Sequence, residues 1–275
     1  MTLVVGVVTF NNPEWQLRRL VKSFELASAE LGAEQGAKLY FIDNGLKSHL
    51  QSISRSAVEI DGRGNIGFGA AENILMEKAF GQYGVDGFLC ANPDGVFHYQ
   101  TIQRLYQFAG QYPRSLVEAI QFPDEHPKVY DPITFETPWA SACCLFIPRS
   151  IYESVGGFDE NFFMYVEDVD YSWRARLKGF GVKICPSALF AHEEFTRRPS
   201  PTVRRWQHES CRYLGWKWGQ PKFRHHWEEL LITEGFYRSY RDLPLLPDPD
   251  MTISEEDARR VGIFDRLYSF AEARW

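Results

Sequence analysis

The chain has 275 residues, of which 44% are hydrophobic and 15% aromatic, which is enough apolar material for a large packed domain. Its net charge of −6 and its pI near 5.7 argue against a protein that binds nucleic acid, because such proteins are usually basic. The five cysteines form no C-x-x-C pair and lie mostly in apolar runs, which favours buried free thiols in a reducing compartment.

Strands and helices alternate through the first hundred residues. The β-branched run 3–10 ends at Asn-Asn-Pro, which predicts a buried strand and then a helix from Pro13. Further strands are predicted at 38–45, in "SAVEIDG" and at 85–95, and the later part of "GRGNIGFGAAENILMEKAF" is helical in pattern. This order predicts an α/β fold with a Rossmann-like, mainly parallel central sheet flanked by helices.

The second half of the chain is less regular. "ACCLFIPRS" predicts another strand, and a short strand at 182–186 is followed by a loop that carries His192. Beyond about residue 200 the chain becomes basic, rich in Trp and helical in pattern, and a last amphipathic helix is expected near 254–273. We therefore predict a main domain at 1–200 and a C-terminal helical extension at 201–275 packed on it.

Polar residues follow several of these strands. Asp43 and Asp94 each stand directly after a predicted strand, and ligands bind at the carboxyl ends of parallel strands. Taken singly, "DNG" and "NPDG" are ordinary turn sequences. "GNIGFG" is not a dinucleotide fingerprint, but its glycines would let the backbone approach a ligand, and Asn65 and Asn73 could donate amide hydrogen bonds.

The segment "GGFDENFFMYVEDVDYSWRARLKG" places three carboxylates at the start of a helix. Asp170 lies about 200° around the helix from Asp168, so the two cannot face one ligand. Arg174 follows Asp170 by four residues, which predicts an ion pair on the helix surface. Glu167 either caps the helix or contacts a ligand. The helix dipole, typically worth about 0.3–1 kcal/mol, would hold Asp168 ionised.

Five motifs occur in a fixed order between residues 3 and 195: "VVTFNN", "DN", "GNIGFGAAEN", "NPD" and "GGFDENFFMYVEDVDYSWRARLKGFGV" with a trailing His. In this series the chain resembles the family 2 glycosyltransferases of the GT-A fold, in particular rhamnosyltransferase-like members. The resemblance implies a metal-dependent inverting enzyme that moves L-rhamnose from dTDP-L-rhamnose to a glycan or lipid-linked glycan in bacterial surface polysaccharide synthesis. The alternatives are a UDP-sugar transferase of the same family, a nucleotidyltransferase, a glycoside hydrolase and a non-catalytic glycan-binding module.

The resemblance also implies roles for individual residues. Asp168 would be the general base, and Asp94 with His192 would hold a Mn²⁺ or Mg²⁺ ion that bridges the two phosphates. Trp139 and Glu167 would lie on the acceptor side. The residues implied to bind the nucleotide are Thr9, Asn11, Asp43, Asn65, Gly67, Asn73 and Asn92, with Asp43 accepting a hydrogen bond from a pyrimidine base.

Two positions depart from the family pattern. "NPD" replaces D-x-D, so Asn92 cannot supply a first carboxylate to the metal, and Ala142 stands in "WASACC" where such members more often have Gly.

The N-terminus has no signal or membrane segment, which predicts a cytosolic protein. The stretch "RRWQHESCRYLGWKWGQPKFRHHW" fits either core packing with a solvated face or a surface for acceptor or membrane, so peripheral membrane contact stays open.

Overall fold

A mixed β-sheet forms the centre of the molecule. The computed structural model describes residues 2–32, 34–45, 53–54, 57–123, 128, 130–192, 200–249 and 253–261. Within these ranges eight strands form one sheet in the order β3-β2-β1-β4-β7-β6-β8-β5. The strands are β1 Thr2–Thr9, β2 Gly36–Asp43, β3 Val58–Ile60, β4 Val85–Ala91, β5 Val96–Phe97, β6 Ser115–Pro123, β7 Cys144–Pro148 and β8 Gly181–His192.

Helices cover both faces of this sheet. In β1, Leu3, Val5 and Val7 pack in one core cluster with residues of α1 and α3, whereas Val4 and Val8 pack in a second cluster with α2, α4 and α5. Strand β1 is buried on both faces of the sheet, which explains why its sequence is a nearly continuous apolar run. The helices are α1 Glu14–Ala29, α2 Phe68–Phe80, α3 Thr101–Gln111, α4 Arg149–Val155, α5 Glu167–Leu177, α6 Pro201–Lys217, α7 Pro221–Thr233 and α8 Glu255–Val261.

The sheet topology brings several strand ends to one edge. Strands β3, β2, β1 and β4 are mutually parallel, and β7 runs antiparallel between β4 and β6. The amino end of β7 therefore lies beside the carboxyl end of β4, where Asn92 donates its backbone N–H to the Cys143 carbonyl at 2.9 Å. The predicted mainly parallel α/β fold is confirmed, with antiparallel pairing added in its second half.

His192 is the last residue of β8 and not part of a loop, so the predicted end of that strand at residue 186 was wrong. Strand β8 runs parallel to β6, and their register shifts between Ala119 and Ile120, after which pairing continues to Pro123 opposite His192. Pro186 has no N–H to give to the ladder, which explains why the sequence pattern suggested a strand end there. The pairing fixes His192 at the same edge as the ends of β4 and β6.

The predicted burial of the cysteines is confirmed, since all five are buried free thiols. Four elements, β5, α3, β6 and α4, were not predicted from the sequence. The expected last helix appears as α8, and residues 262–273 of that prediction lie outside the described residues. No helix in the described ranges is long and apolar enough to cross a membrane. The division of the chain at residue 200 stays a prediction.

One buried carboxylate connects the C-terminal helices to α5. Asp170 is fully buried and accepts hydrogen bonds from Arg174 Nε at 2.7 Å, Lys217 Nζ at 3.0 Å and Trp218 Nε1 at 2.9 Å. Burial alone would raise the pKa of Asp170, but the charges of Arg174 and Lys217 hold it below its ordinary value. The ion pair with Arg174 exists as predicted, but it lies in the core and not on the helix surface.

We expect Asp170→Asn to destabilise the fold by about 3 kcal/mol, because breaking a buried ion pair leaves an uncompensated charge in the core. Urea denaturation at pH 7 measures the loss. Asp242→Asn is the matched control, since Asp242 is exposed and bonded only to Ser239 among the contacts seen, and its change should stay within about 0.5 kcal/mol. Equal stabilities for the two variants would contradict the role given to Asp170.

Candidate active site

A pocket of about 510 Å³ opens at the sheet edge where β1, β4, β6 and β8 end. Its wall combines loop residues after the strands, the start of α5 and side chains from α6 and α7. Six residues that the sequence singled out line this pocket: Asn65, Asn92, Trp139, Glu167, Asp168 and His192.

Three other predicted residues, Thr9, Asn11 and Asp43, gather beside the pocket at the ends of β1 and β2. The Thr9 hydroxyl and the Gly45 N–H both donate to Asp43 Oδ1 at 2.9 Å. A Cβ on Gly45 would come within 2.9 Å of Asn11 Oδ1 and 3.0 Å of Asp43 Oδ1, so a larger residue here would displace these side chains. These contacts fix Oδ1 of Asp43, and its neighbour Asn44 reaches the pocket wall.

Gly67 and Asn73 do not line the pocket but hold the loop before α5. A Cβ on Gly67 would lie 2.3 Å from the Phe163 carbonyl oxygen, and its φ of +90° is one that glycine adopts readily. The Asn73 amide donates to the Phe158 carbonyl at 2.9 Å and accepts from the Phe158 N–H at 2.7 Å. The glycine-rich segment therefore positions the acidic loop, and the nucleotide contact of Asn73 stays a prediction.

The turn that leads into α5 has an unusual backbone. Tyr165 and Val166 have φ values of +72° and +57°, and left-handed backbone at non-glycine residues costs on the order of 1–3 kcal/mol each. Val166 occupies the N-cap position and makes no side-chain cap, so the capping interpretation of Glu167 was wrong. Glu167 points into the pocket wall instead. Both strained residues also line the pocket, which links the strain to the site.

Asp94 and His192 meet at the pocket margin. Asp94 Oδ1 lies 3.3 Å from His192 Nε2, and the Asn92 amide nitrogen lies 3.3 Å from the same ring atom. A carboxylate oxygen and an imidazole nitrogen at this separation suit a divalent cation, and the imidazole favours Mn²⁺ over Mg²⁺. No group of three or more His, Cys, Asp or Glu side chains that could hold a metal forms among the described residues, so other ligands would have to complete the coordination.

Asp168 presents a carboxylate that the backbone holds in place. Oδ2 accepts from the Ala142 N–H at 3.0 Å and Oδ1 from the Val169 N–H at 2.8 Å. Burial raises the pKa of Asp168 to about 6, although the Ala142 N–H, the charge of Lys128 and the Val169 N–H oppose the rise. Burial, and not the helix dipole, dominates, yet a carboxyl with this pKa is mostly ionised at pH 7.

Two neighbouring carboxyls have a different charge state. Glu72 on α2 is fully buried, and its pKa is raised to about 8 by burial. Burial, together with the charge of Asp168, also raises the pKa of Glu167 well above its ordinary value. Neither Oε atom of Glu72, nor Oε2 of Glu167, has a hydrogen-bond partner among the described residues. Asp168 is therefore the member of this group that carries negative charge at neutral pH.

Sequence reasoning did not single out Glu72. The available signal was a single acidic residue inside the mostly apolar helix "FGAAENILM". The space for its carboxyl comes from β1, since a Cβ on Gly6 would lie 2.9 Å from Glu72 Oε2 and 2.1 Å from the Phe88 ring.

The C-terminal helices complete the pocket. Gln207 and Cys211, one helical turn apart on α6, line it together with Trp227 of α7. Trp139 lies in the wall with the Lys128 ammonium 4.1 Å from its ring centre. Of the two interpretations of the basic, Trp-rich stretch, core packing holds for Trp218, which is fully buried, while other side chains of the stretch face the pocket.

Comparisons with known proteins agree with this geometry. No protein-family model matches the sequence. An N-acetylglucosaminyl-diphospho-decaprenol L-rhamnosyltransferase of Mycobacterium tuberculosis is 27% identical over 219 residues, which cover 62% of this chain and 70% of that protein. The low-salt glycan biosynthesis hexosyltransferase Agl10 of Haloferax volcanii is 24% identical over 182 residues, 58% of this chain and 59% of its own length.

Solved structures share the fold at low sequence identity. A mannosyltransferase from Pyrobaculum calidifontis, solved with GDP-Man and Mn²⁺, superposes with a TM-score of 0.60 and 11% identity over 85% of this chain and 75% of that one. TarS of Staphylococcus aureus gives a TM-score of 0.56 and 14% identity, again over 85% of this chain but only 42% of TarS. In fold the chain is similar to glycosyltransferases of the GT-A class, and the two sequence relatives above are also sugar transferases.

We expect the Asp168 carboxyl to titrate with a midpoint near pH 6, against about 3.9 for an unperturbed aspartate. The ¹³C carboxyl signals of protein labelled at aspartate measure this, and the spectrum of Asp168→Asn identifies the signal. A midpoint for Asp168 near 4 would show that its burial is overcome by its two backbone donors.

Proposed function

We propose that this protein is a metal-dependent inverting glycosyltransferase that transfers L-rhamnose from dTDP-L-rhamnose to a hydroxyl of a glycan or lipid-linked glycan. The observation that carries the reaction type is one ionised carboxylate, Asp168, in the same pocket wall as His192, whose ring contacts Asp94. The relatives support the sugar and the acceptor class, since one is a rhamnosyltransferase whose name includes a diphospho-decaprenol and another a glycan hexosyltransferase.

Asp168 has the properties that a general base needs. An acceptor hydroxyl is a poor nucleophile and must lose its proton as the new bond forms. The two backbone N–H groups fix the direction of the Asp168 carboxylate, and its pKa of about 6 leaves it ionised at pH 7 but still basic enough to take a proton. One base acting on an in-line attack gives inversion at the anomeric carbon. The neutral Glu167 beside it could donate a hydrogen bond to the acceptor.

Asp94 and His192 are the residues that would hold a Mn²⁺ or Mg²⁺ ion. When bound, such an ion supplies positive charge to the diphosphate leaving group. Two protein ligands leave most of the coordination to phosphate oxygens and water, so the protein should bind metal and nucleotide together better than either alone. Asp43, fixed by Thr9 and Gly45, is the proposed acceptor of a hydrogen bond from the pyrimidine base.

The acceptor is proposed to lie against Trp139 and Trp227. Aromatic rings in a pocket wall suit the apolar face of a sugar ring, and both residues line the cavity that Asp168 faces. Because α6 and α7 supply part of this wall, the helices beyond residue 200 would take part in acceptor choice. A lipid-linked acceptor would bring the protein to the cytoplasmic surface of a membrane.

We expect dTDP with Mn²⁺ to raise the melting temperature, by about 5 °C or more at roughly 100 times the Kd, where binding adds about 2.7 kcal/mol. Mn²⁺ alone should give a much smaller shift. Parallel scans with UDP and GDP test the donor, and a larger shift with UDP would move the proposal to a UDP-sugar transferase. No shift with any nucleotide would contradict the transferase proposal.

Asp94→Asn should remove the part of this shift that depends on Mn²⁺, because an amide oxygen carries no charge to hold the cation. Asp86→Asn is the matched control. Asp86 lies on β4 near the opposite end from Asp94 and accepts the Thr2 N–H at 3.2 Å, away from the pocket. A full Mn²⁺-dependent shift in Asp94→Asn would place the metal ligand elsewhere.

We expect Asp168→Asn to keep the thermal shift with dTDP and Mn²⁺ but to lose sugar transfer by about 10²- to 10⁴-fold, the usual contribution of a general base. The adjacent Glu167→Gln is the control, because Gln mimics a carboxyl that is already neutral, and it should keep most of the activity. In the unmodified protein, transfer should fall as the pH drops through about 6, where Asp168 gains its proton. Activity retained by Asp168→Asn and lost by Glu167→Gln would exchange the two roles.

A further inference from the structure

A chain of buried polar side chains lies behind His192. His192 Nδ1 is 3.3 Å from Gln121 Oε1, and Gln121 Nε2 donates to Glu118 Oε1 at 3.4 Å. Gln121 and Glu118 are each only 2% exposed, and both come from β6, the strand that pairs with β8 beside His192. The other Glu118 oxygen accepts the Ser141 N–H at 2.9 Å and pairs with the Lys128 ammonium.

This chain has only one consistent pattern of donors. Glu118 faces an ammonium and a backbone N–H, so it is a carboxylate that only accepts hydrogen bonds. Gln121 must therefore turn its NH₂ group towards Glu118, which leaves its carbonyl oxygen towards His192. An amide oxygen also only accepts, so the proton of the neutral His192 ring belongs on Nδ1.

The other ring nitrogen, Nε2, then turns its lone pair towards Asp94 and the Asn92 amide. Nε2 of His192 lies 3.3 Å from Asp94 Oδ1 and 3.3 Å from the Asn92 amide nitrogen. Two acceptors, a ring nitrogen and a carboxylate, face each other at this point. They repel each other unless a cation or a proton lies between them. A hydrogen bond to the other ring nitrogen of a metal-binding histidine fixes the ring and strengthens metal binding.

We propose that Gln121 is a positioning residue, oriented by Glu118, that holds His192 in the Nδ1–H tautomer so that Nε2 and Asp94 jointly bind a divalent cation. The proposal deepens the proposed function and depends on it for the use of the cation in sugar transfer. The tautomer itself follows from the buried hydrogen bonds alone and can be measured without nucleotide or activity.

The experiment is ¹H–¹⁵N correlation of the imidazole rings in protein labelled at histidine, at pH 8. The chain has seven His, and His192→Asn identifies the signals of His192. The unmodified protein should show the Nδ1–H tautomer. Gln121→Met, which keeps the side-chain length but removes the acceptor, should show a gain of the Nε2–H tautomer. Paramagnetic broadening of the His192 signals by added Mn²⁺ should need about 10- to 100-fold more metal in this variant.

The control is Gln82→Met, which removes a glutamine amide bonded to Lys38 at 2.9 Å and to the Lys78 carbonyl, far from the pocket. It should leave the tautomer and the Mn²⁺ response of His192 unchanged. An Nε2–H tautomer in the unmodified protein would overturn the proposal. This measurement needs no variant of Gln121, so it remains decisive even if Gln121→Met fails to fold. Unchanged signals in a folded Gln121→Met would overturn it too.

The two proposals fail in different ways. If the spectra show the Nδ1–H tautomer held by Gln121 but no nucleotide stabilises the protein, the proposed function is wrong and the positioning role remains. If nucleotide and Mn²⁺ stabilise the protein, and Gln121→Met changes neither this stabilisation nor the tautomer, the transferase proposal remains and the role of Gln121 is wrong.

Discussion

The buried carboxylate of Asp170 is the interaction on which the site depends. It is held by Arg174 of its own helix and by Lys217 and Trp218 at the end of α6, so it joins α5 to the C-terminal helices. Asp168 stands two residues earlier on α5, at the pocket wall that α6 and α7 help to form. The same contact therefore fixes the helix that carries the carboxylate and the helices that close the cavity around it. Neighbouring aspartates thus have separate tasks because helical geometry turns one to the core and the other to the pocket.

Charge in the pocket wall is limited to one carboxylate by burial. Glu72, Glu167 and Asp168 influence each other electrostatically, and carboxyls in a shared low-dielectric region cannot all ionise. Among the described residues, neither carboxyl oxygen of Glu72 and only one of Glu167 has a hydrogen-bond partner, whereas Asp168 has two backbone donors and a nearby ammonium. Donors decide which carboxyl keeps its charge. A single ionised carboxylate results from three acids without any of them being removed from the sequence.

Much of the parallel half of the fold could be predicted, because β-branched runs such as 3–10 and turn residues after them report local structure directly. The placement of Asp168 at the start of a helix was predicted in the same way. The course of β8 to His192 could not be, since Pro186 interrupts the pattern and only pairing with β6 carries the strand further. The burial of Asp170 was equally hidden, as its partners Lys217 and Trp218 come nearly fifty residues later. The pocket side chains of α6 and α7 depend on the same long-range packing.

Glu118 connects the two functional sides of the pocket floor. One of its oxygens accepts from Ser141, whose neighbour Ala142 donates to Asp168, and the other accepts from Gln121, which touches His192. The Asp168 side and the His192 side are therefore held by the same buried side chain through hydrogen bonds of 2.9–3.4 Å. The Lys128 ammonium neutralises the Glu118 carboxylate. A buried network in which every polar group has a hydrogen-bond partner is rigid, whereas a network with unpaired groups costs stability. The proposed reaction needs a fixed distance between Asp168 and the leaving group. A strand that supplies both Glu118 and Gln121 can fix that distance without using either residue in the chemistry.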